Sequence, residues 1–175
     1  MNFQEEQTMA GAETNKIRGL HHHAYRTRDS EATRRFYEEV LGLPLIASFI
    51  EDGVRTGSEQ RYLHTFFEMG DGSCLAFFEV EGDTTADAPP APLGHHVALE
   101  VGGEAVFDEY LARVRQHGLE PRVIHHGYCK SLYINDPNGL RVELTTRVPE
   151  TAAIMAQERT RAHEQLEQWR SSLRR

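Results

Sequence analysis

The chain is short of several things, and each shortage excludes a class. Only two of its 175 residues are cysteine, Cys74 and Cys129, too few for a disulfide scaffold. Basic residues are in deficit: 19 Lys and Arg stand against 27 Asp and Glu, a net charge of −8. A nucleic-acid partner is therefore not expected, because binding one takes a surplus of cations to displace counterions. No apolar run approaches the roughly 20 residues that span a bilayer, so no membrane partner is expected either. Residues 1–16 are polar and acidic and lack the apolar stretch of a secretory signal. They read as a mobile segment, and the expected location is cytoplasmic.

What the chain has in excess is histidine, ten in all. Their positions follow an internal repeat. Leu20-His21-His22-His23-Ala24-Tyr25-Arg26-Thr27 resembles Leu93-Gly94-His95-His96-Val97-Ala98-Leu99-Glu100. Each is an alternating strand with a histidine pair near its start. A helical pattern follows each: Ala32, Phe36, Tyr37 and Val40 in the first, Val106, Phe107, Tyr110, Leu111 and Val114 in the second. Both patterns stop at a glycine with a proline close behind, Gly42 and Pro44, then Gly118 and Pro121. Three strand patterns come next, near 44–51, 61–68 and 73–80, and again near 121–127, 130–135 and 140–146. The turn glycines Gly72 and Gly139 coincide when the halves are aligned.

The plan is βαβββ twice, with a period of about 74 residues. This predicts an α+β fold in which two modules, 17–80 and 94–147, build one curved mixed sheet. A Pro-rich acidic linker runs over 81–93. A C-terminal helix covers 148–175, with Met155, Ala162, Leu166, Trp169 and Leu173 as an apolar stripe.

Strand alternation then sorts the side chains. Val97, Leu99 and Val101 form an apolar row, which turns His96, Ala98 and Glu100 to the other face. Val142 and Leu144 do the same for Arg141, Glu143 and Thr145. Leu132 and Ile134 do it for Ser131 and Tyr133. By the repeat, His22, Ala24 and Arg26 share the face of His96. Ala76 takes the place of Glu143, and Phe66, with His64, that of Tyr133.

One concave face would thus carry His22, His96 and Glu143, with Tyr133 beside them. Two imidazoles and one carboxylate form a facial triad that suits Fe(II) in oxygen chemistry and leaves positions open. The same donors also suit Mn(II), Zn(II) and Ni(II). Ala76 stands where a fourth ligand would come from, and it cannot ligate.

These residues resemble the vicinal oxygen chelate superfamily, which includes glyoxalases, bleomycin and fosfomycin resistance proteins, epimerases and extradiol dioxygenases. The resemblance covers about residues 17–147 and includes Phe36-Tyr37-Glu38-Glu39-Val40-Leu41-Gly42-Leu43. The stretch from Ile124-His125-His126 through Leu132-Tyr133-Ile134-Asn135-Asp136-Pro137-Asn138-Gly139 to Glu143 is similar to the type I extradiol ring-cleavage signature. That resemblance implies Glu143 as an iron ligand, His22 and His96 as its companions, and Tyr133 and His126 as groups near substrate and oxygen. It also implies a homodimer.

Typical extradiol enzymes have four modules, and this chain has two. They carry a further acid–base histidine on a strand where this chain has Cys74, Ala76 and Phe78. His64, one strand over, is the candidate substitute. The expected activity is extradiol cleavage of a small catechol-like vicinal diol by O2 at a mononuclear non-haem Fe(II), with His126, Tyr133 and His64 as catalytic candidates. The alternatives are a metal-dependent glyoxalase- or epimerase-type lyase or isomerase, or a non-catalytic small-molecule binding protein of the same fold.

Overall fold

The computed structural model describes residues 19–52, 60–83 and 94–173. The segment expected to be mobile, 1–16, and most of the linker lie outside the described residues. The chain divides into two compact units, Met1–Asp87 and Ala88–Arg175, split within the linker read from composition.

In the first unit, β1 (His22–Arg26) leads through Asp29 into α1 (Ser30–Arg34). The Asp29 carboxylate accepts a hydrogen bond from the Ala32 amide at 2.9 Å and so caps the helix. α1 continues as a π-helical stretch over Arg35–Val40. Gly42 then takes a φ of 75° and turns the chain toward Pro44. The strands β2 (Leu45–Glu51), β3 (Tyr62–Glu68) and β4 (Cys74–Val80) follow. Their order in the sheet is β1-β4-β3-β2, with β1 parallel to β4 and the other pairs antiparallel. Tyr37, fully buried, stacks its ring near Phe67 and Phe77, so those two and Leu75 face the helical stretch.

The second unit repeats the plan. β5 (Val97–Glu100), α2 (Glu104–Gln116), β6 (Arg122–His125), β7 (Cys129–Asn135) and β8 (Arg141–Arg147) give the order β5-β8-β7-β6. Phe107 and Val114 of α2 are fully buried, as are Leu132 and Val142 of the sheet. Lys130 lies with its ammonium 4.5 Å from the Phe107 ring and pairs with Glu104. The aligned turn glycines share one conformation, with φ of 82° at Gly72 and 83° at Gly139. In the second turn the Asp136 carboxylate accepts from the Asn138 and Leu140 amides, each at 2.8 Å. The mixed sheet expected from the repeat is thus present as one four-stranded sheet in each unit. α3 (Thr151–Ser172) closes the chain. No helix among the described residues is long and apolar enough to cross a membrane.

Candidate functional site

The repeat read in the sequence is a register in the sheets. Ala24 pairs with Ala76, and Ala76 with Phe66. In the second unit Ala98 pairs with Glu143, and Glu143 with Tyr133. Ala76 therefore holds the position of Glu143, and Phe66 that of Tyr133, as alternation predicted. His22 and His96 each lie two residues before the corresponding alanine.

His96 sits just ahead of β5. Its Nε2 is 2.9 Å from a carboxylate oxygen of Glu143, whose side chain is only 8 % exposed. Its Nδ1 faces the Gly94 carbonyl at 3.0 Å. A carbonyl can only accept, so Nδ1 donates to it; a carboxylate can only accept as well, so Nε2 shares a proton with Glu143, and a metal would take that proton's place. Two ligand atoms about 2.1 Å from one ion, at right angles, stand about 3 Å apart. The His96–Glu143 spacing fits a metal. The donors are one imidazole and one carboxylate, as a facial triad requires.

Beside this pair, Tyr133 and His126 are joined by a hydrogen bond of 2.7 Å between hydroxyl and Nε2. Burial, then a hydrogen bond to Glu143 and the charge of that carboxylate, push the Tyr133 phenol up to about 12. Tyr133 is therefore a protonated donor at neutral pH. Its hydroxyl stands between His126 and Glu143. The chain His126, Tyr133, Glu143 runs from an exposed imidazole to a buried carboxylate.

His96, Ala98, Tyr128, Cys129, Glu143 and Met155 line a cavity of about 610 Å3 in this unit. The helix that contributes Met155 is pinned by Thr151. Its hydroxyl donates to the Tyr128 carbonyl at 2.5 Å and accepts from the Val148 amide at 2.8 Å. Sequence reasoning placed Met155 on the helix stripe and missed this second place. The signal available was Val148-Pro149 directly after β8, which forces a turn back over the strand end.

In the first unit, His22 also has its Nδ1 engaged, at 2.7 Å from Nδ1 of His21. Nε2 is again the nitrogen free for other work. The His22 ring meets Phe66 at 5.5 Å and His64 at 6.1 Å, between ring centroids. It reaches across the β4 strand because Ala76 is small and leaves the space open. His64 stacks on Phe78 at 3.7 Å and leans on Phe66 at 4.3 Å. Its Nε2 is buried without a hydrogen-bond partner among the described residues. Burial, then repulsion from His22, lowers its pKa. His64, Phe66 and Phe78 thus share the face of His22, as expected.

Of the predicted residues, the second unit brings together His96, Glu143, Tyr133 and His126, and the first brings together His22 and His64. Among the described residues, no group of three His, Cys, Asp or Glu side chains is set to hold a metal.

The two βαβββ modules, the second with a histidine–carboxylate pair on its sheet face, define a module-pair fold. The chain belongs to the Glyoxalase/Bleomycin resistance protein/Dioxygenase superfamily, whose model matches residues 19–144. It is 30% identical over 129 residues to biphenyl-2,3-diol 1,2-dioxygenase 3 of Rhodococcus globerulus, a match covering 71% of this chain and 61% of that protein. The chain thus matches less than two thirds of that relative's length. Among solved structures, the fosfomycin resistance protein FosX of Mesorhizobium loti is similar at 27% identity and a TM-score of 0.55, covering 79% of this chain and 98% of that one. FosX of Listeria monocytogenes, solved with Mn(II) and sulfate, gives 24%, 0.57, 78% and 98%. A glyoxylase/bleomycin resistance protein/dioxygenase domain of Frankia sp. gives 17%, 0.62, 74% and 98%.

Proposed function

We propose that the protein is a mononuclear Fe(II) dioxygenase that opens the ring of a small catechol-like vicinal diol, with His22, His96 and Glu143 as metal ligands. The observation that carries the reading is the hydrogen-bonded run from His126 through Tyr133 to Glu143, beside His96. The relative named for biphenyl-2,3-diol supports the substrate class.

A bound ferrous ion supplies the redox chemistry of ring cleavage by O2. The chain supplies the proton handling. A catechol must lose protons to chelate, and histidine is the side chain most often used as a general base. His126 is that group. Tyr133, held protonated, donates a hydrogen bond and orients His126. His64, with its unpartnered Nε2 among aromatic rings, is the second acid–base candidate. Phe66 and Phe78 offer the diol ring an apolar wall.

The test is to load the protein with Fe(II) without air, add a catechol panel that includes biphenyl-2,3-diol, and then admit O2. The expected result is one O2 consumed per ring opened, with a new visible absorbance. A fully iron-loaded protein that consumes no O2 contradicts the reading. The 27% identity to a fosfomycin resistance protein favours a second reading, a metal-dependent enzyme of another reaction class. Turnover without O2, with Mn(II), Zn(II) or Ni(II) preferred, supports that one.

A further inference from the structure

The cavity beside Glu143 has one wall made by Val148, Pro149, Ala152 and Met155. All four lie beyond residue 144, where the match to the superfamily ends. Ala152 and Met155 share a side of α3 because they are three residues apart. Thr151 donates to the carbonyl of Tyr128, whose side chain belongs to a residue lining the same cavity. One hydrogen bond thus ties Tyr128 to the helix that carries Met155. Tyr128 and Met155 are nevertheless 45 and 49 % exposed. Apolar surface left open toward a cavity gains free energy when an apolar group covers it. At about 610 Å3 the cavity falls within the range of small-molecule sites, about 300–1,000 Å3. A bare catechol fills only part of it.

The charges of the cavity select as well. Among the described residues that line it, Arg147 is the only Lys or Arg, and it is already paired. Its Nε stands 2.7 Å and its Nη2 2.9 Å from the two carboxylate oxygens of Glu100, a two-point contact. With Glu143, the lining carries two carboxylates against one guanidinium. A carboxylate or phosphonate on a substrate would have to displace Glu100 from Arg147 and then lie against it. A neutral group meets no such cost.

We propose that the substrate carries a neutral apolar substituent, and that Tyr128, Ala152 and Met155 form the slot that takes it. The inference rests on the proposed function for the diol end alone. His96 and Glu143 mark where the diol sits, and the slot lies in the same cavity. Ala152 sets the depth of the slot, since it is the smallest side chain of the α3 wall. Met155, unbranched and polarisable, adapts to substituents of different shape. The Tyr128 ring centroid is 6.1 Å from that of His126, so the slot adjoins the proposed acid–base group. The three residues touch the substituent and not the reacting atoms, so they set which diol binds.

Binding reads the slot without turnover. Full-length protein loaded with Fe(II) and kept from air is titrated by calorimetry with catechol, 3- and 4-butylcatechol and 3,4-dihydroxybenzoate. The Met155 methyl group is followed by NMR in methyl-labelled protein. One of the butylcatechols is expected to bind at least about tenfold more tightly than catechol and to move the Met155 signal. The carboxylate gives no gain. Ala152→Phe, which fills the slot, and Met155→Asn, which makes it polar, each cut the butyl gain to about twofold or less. Both positions are exposed, so the fold is kept, as circular dichroism checks. 4-Butylphenol, which lacks the second oxygen, is titrated in parallel. If it moves the Met155 signal while no catechol binds, the diol reading fails and the slot stands. The slot is overturned, with the diol reading intact, if catechol binds and butyl brings no gain. A gain that survives both substitutions, or tighter binding of the carboxylate, overturns it too. So does a Met155 signal that neither the catechols nor 4-butylphenol moves.

Discussion

A carboxylate buried as deeply as Glu143 costs free energy unless a partner compensates it. His96 and Tyr133 are the partners seen, and both contacts serve a metal ligand as well as a structural pair. Substitution separates the roles. His126→Asn leaves the ligands intact, so bound metal stays while kcat falls about 100- to 10,000-fold. Tyr133→Phe removes the hydroxyl that meets His126 and Glu143 and lowers kcat about tenfold, with metal kept. His64 gives a prediction about pH. Its folded pKa is depressed by burial and by His22, so the unfolded chain takes up the proton first as pH falls. Stability is then full above the ordinary histidine range and declines below about 6.5. Melting temperature measured from pH 8 to 5 falls less steeply in His64→Phe than in the parent. An unchanged slope assigns the acid sensitivity elsewhere. The faces of His22, His64, Glu143 and Tyr133 were legible because strand alternation is strict. The hydrogen bond of His96 Nδ1 to the Gly94 carbonyl was not, because no sequence pattern marks it.

The elements were legible to within a residue or two wherever a pattern had a sharp end. Asp29 starts α1, Gly42 and Gly118 end the two helical stretches, and Gly72 and Gly139 turn the last hairpins. The π-helical stretch Arg35–Val40 was not legible, because its side-chain pattern is that of an ordinary helix. Nor was the short β5, which starts at Val97 and leaves His96 outside the strand. Its sister His22 is the first residue of β1. At Gly139, φ is 83°, where a side chain is strained. Gly139→Ala is expected to lower stability by about 1–2 kcal/mol, read from urea unfolding, with the slope unchanged. Thr151 ties α3 to the Tyr128 carbonyl and so holds Met155 at the cavity. Thr151→Val loosens that wall. KM for the proposed diol substrate rises severalfold while kcat moves little, because the group acts on binding and not on the reacting atoms.

At the scale of the whole chain, the repeat turned a surplus of histidine into two matched positions, and it did so because each module is one folding unit with its own core. Length and composition could not place the linker residues against the strands or say what the C-terminal helix meets. The three proposed ligands are shared between the units, His22 in the first, His96 and Glu143 in the second. If they hold one ion, each of the three is indispensable, and losing any one leaves the rest unable to retain it. The direct measurement is metal content per chain, by mass spectrometry of protein loaded with Fe(II) and desalted without air. It is made for the parent and for His22→Ala, His96→Ala and Glu143→Ala, each checked for native circular dichroism. One iron per chain in the parent and less than about a tenth of that in every variant is the expected result. A folded His22→Ala, His96→Ala or Glu143→Ala protein that keeps a full iron contradicts the ligand set.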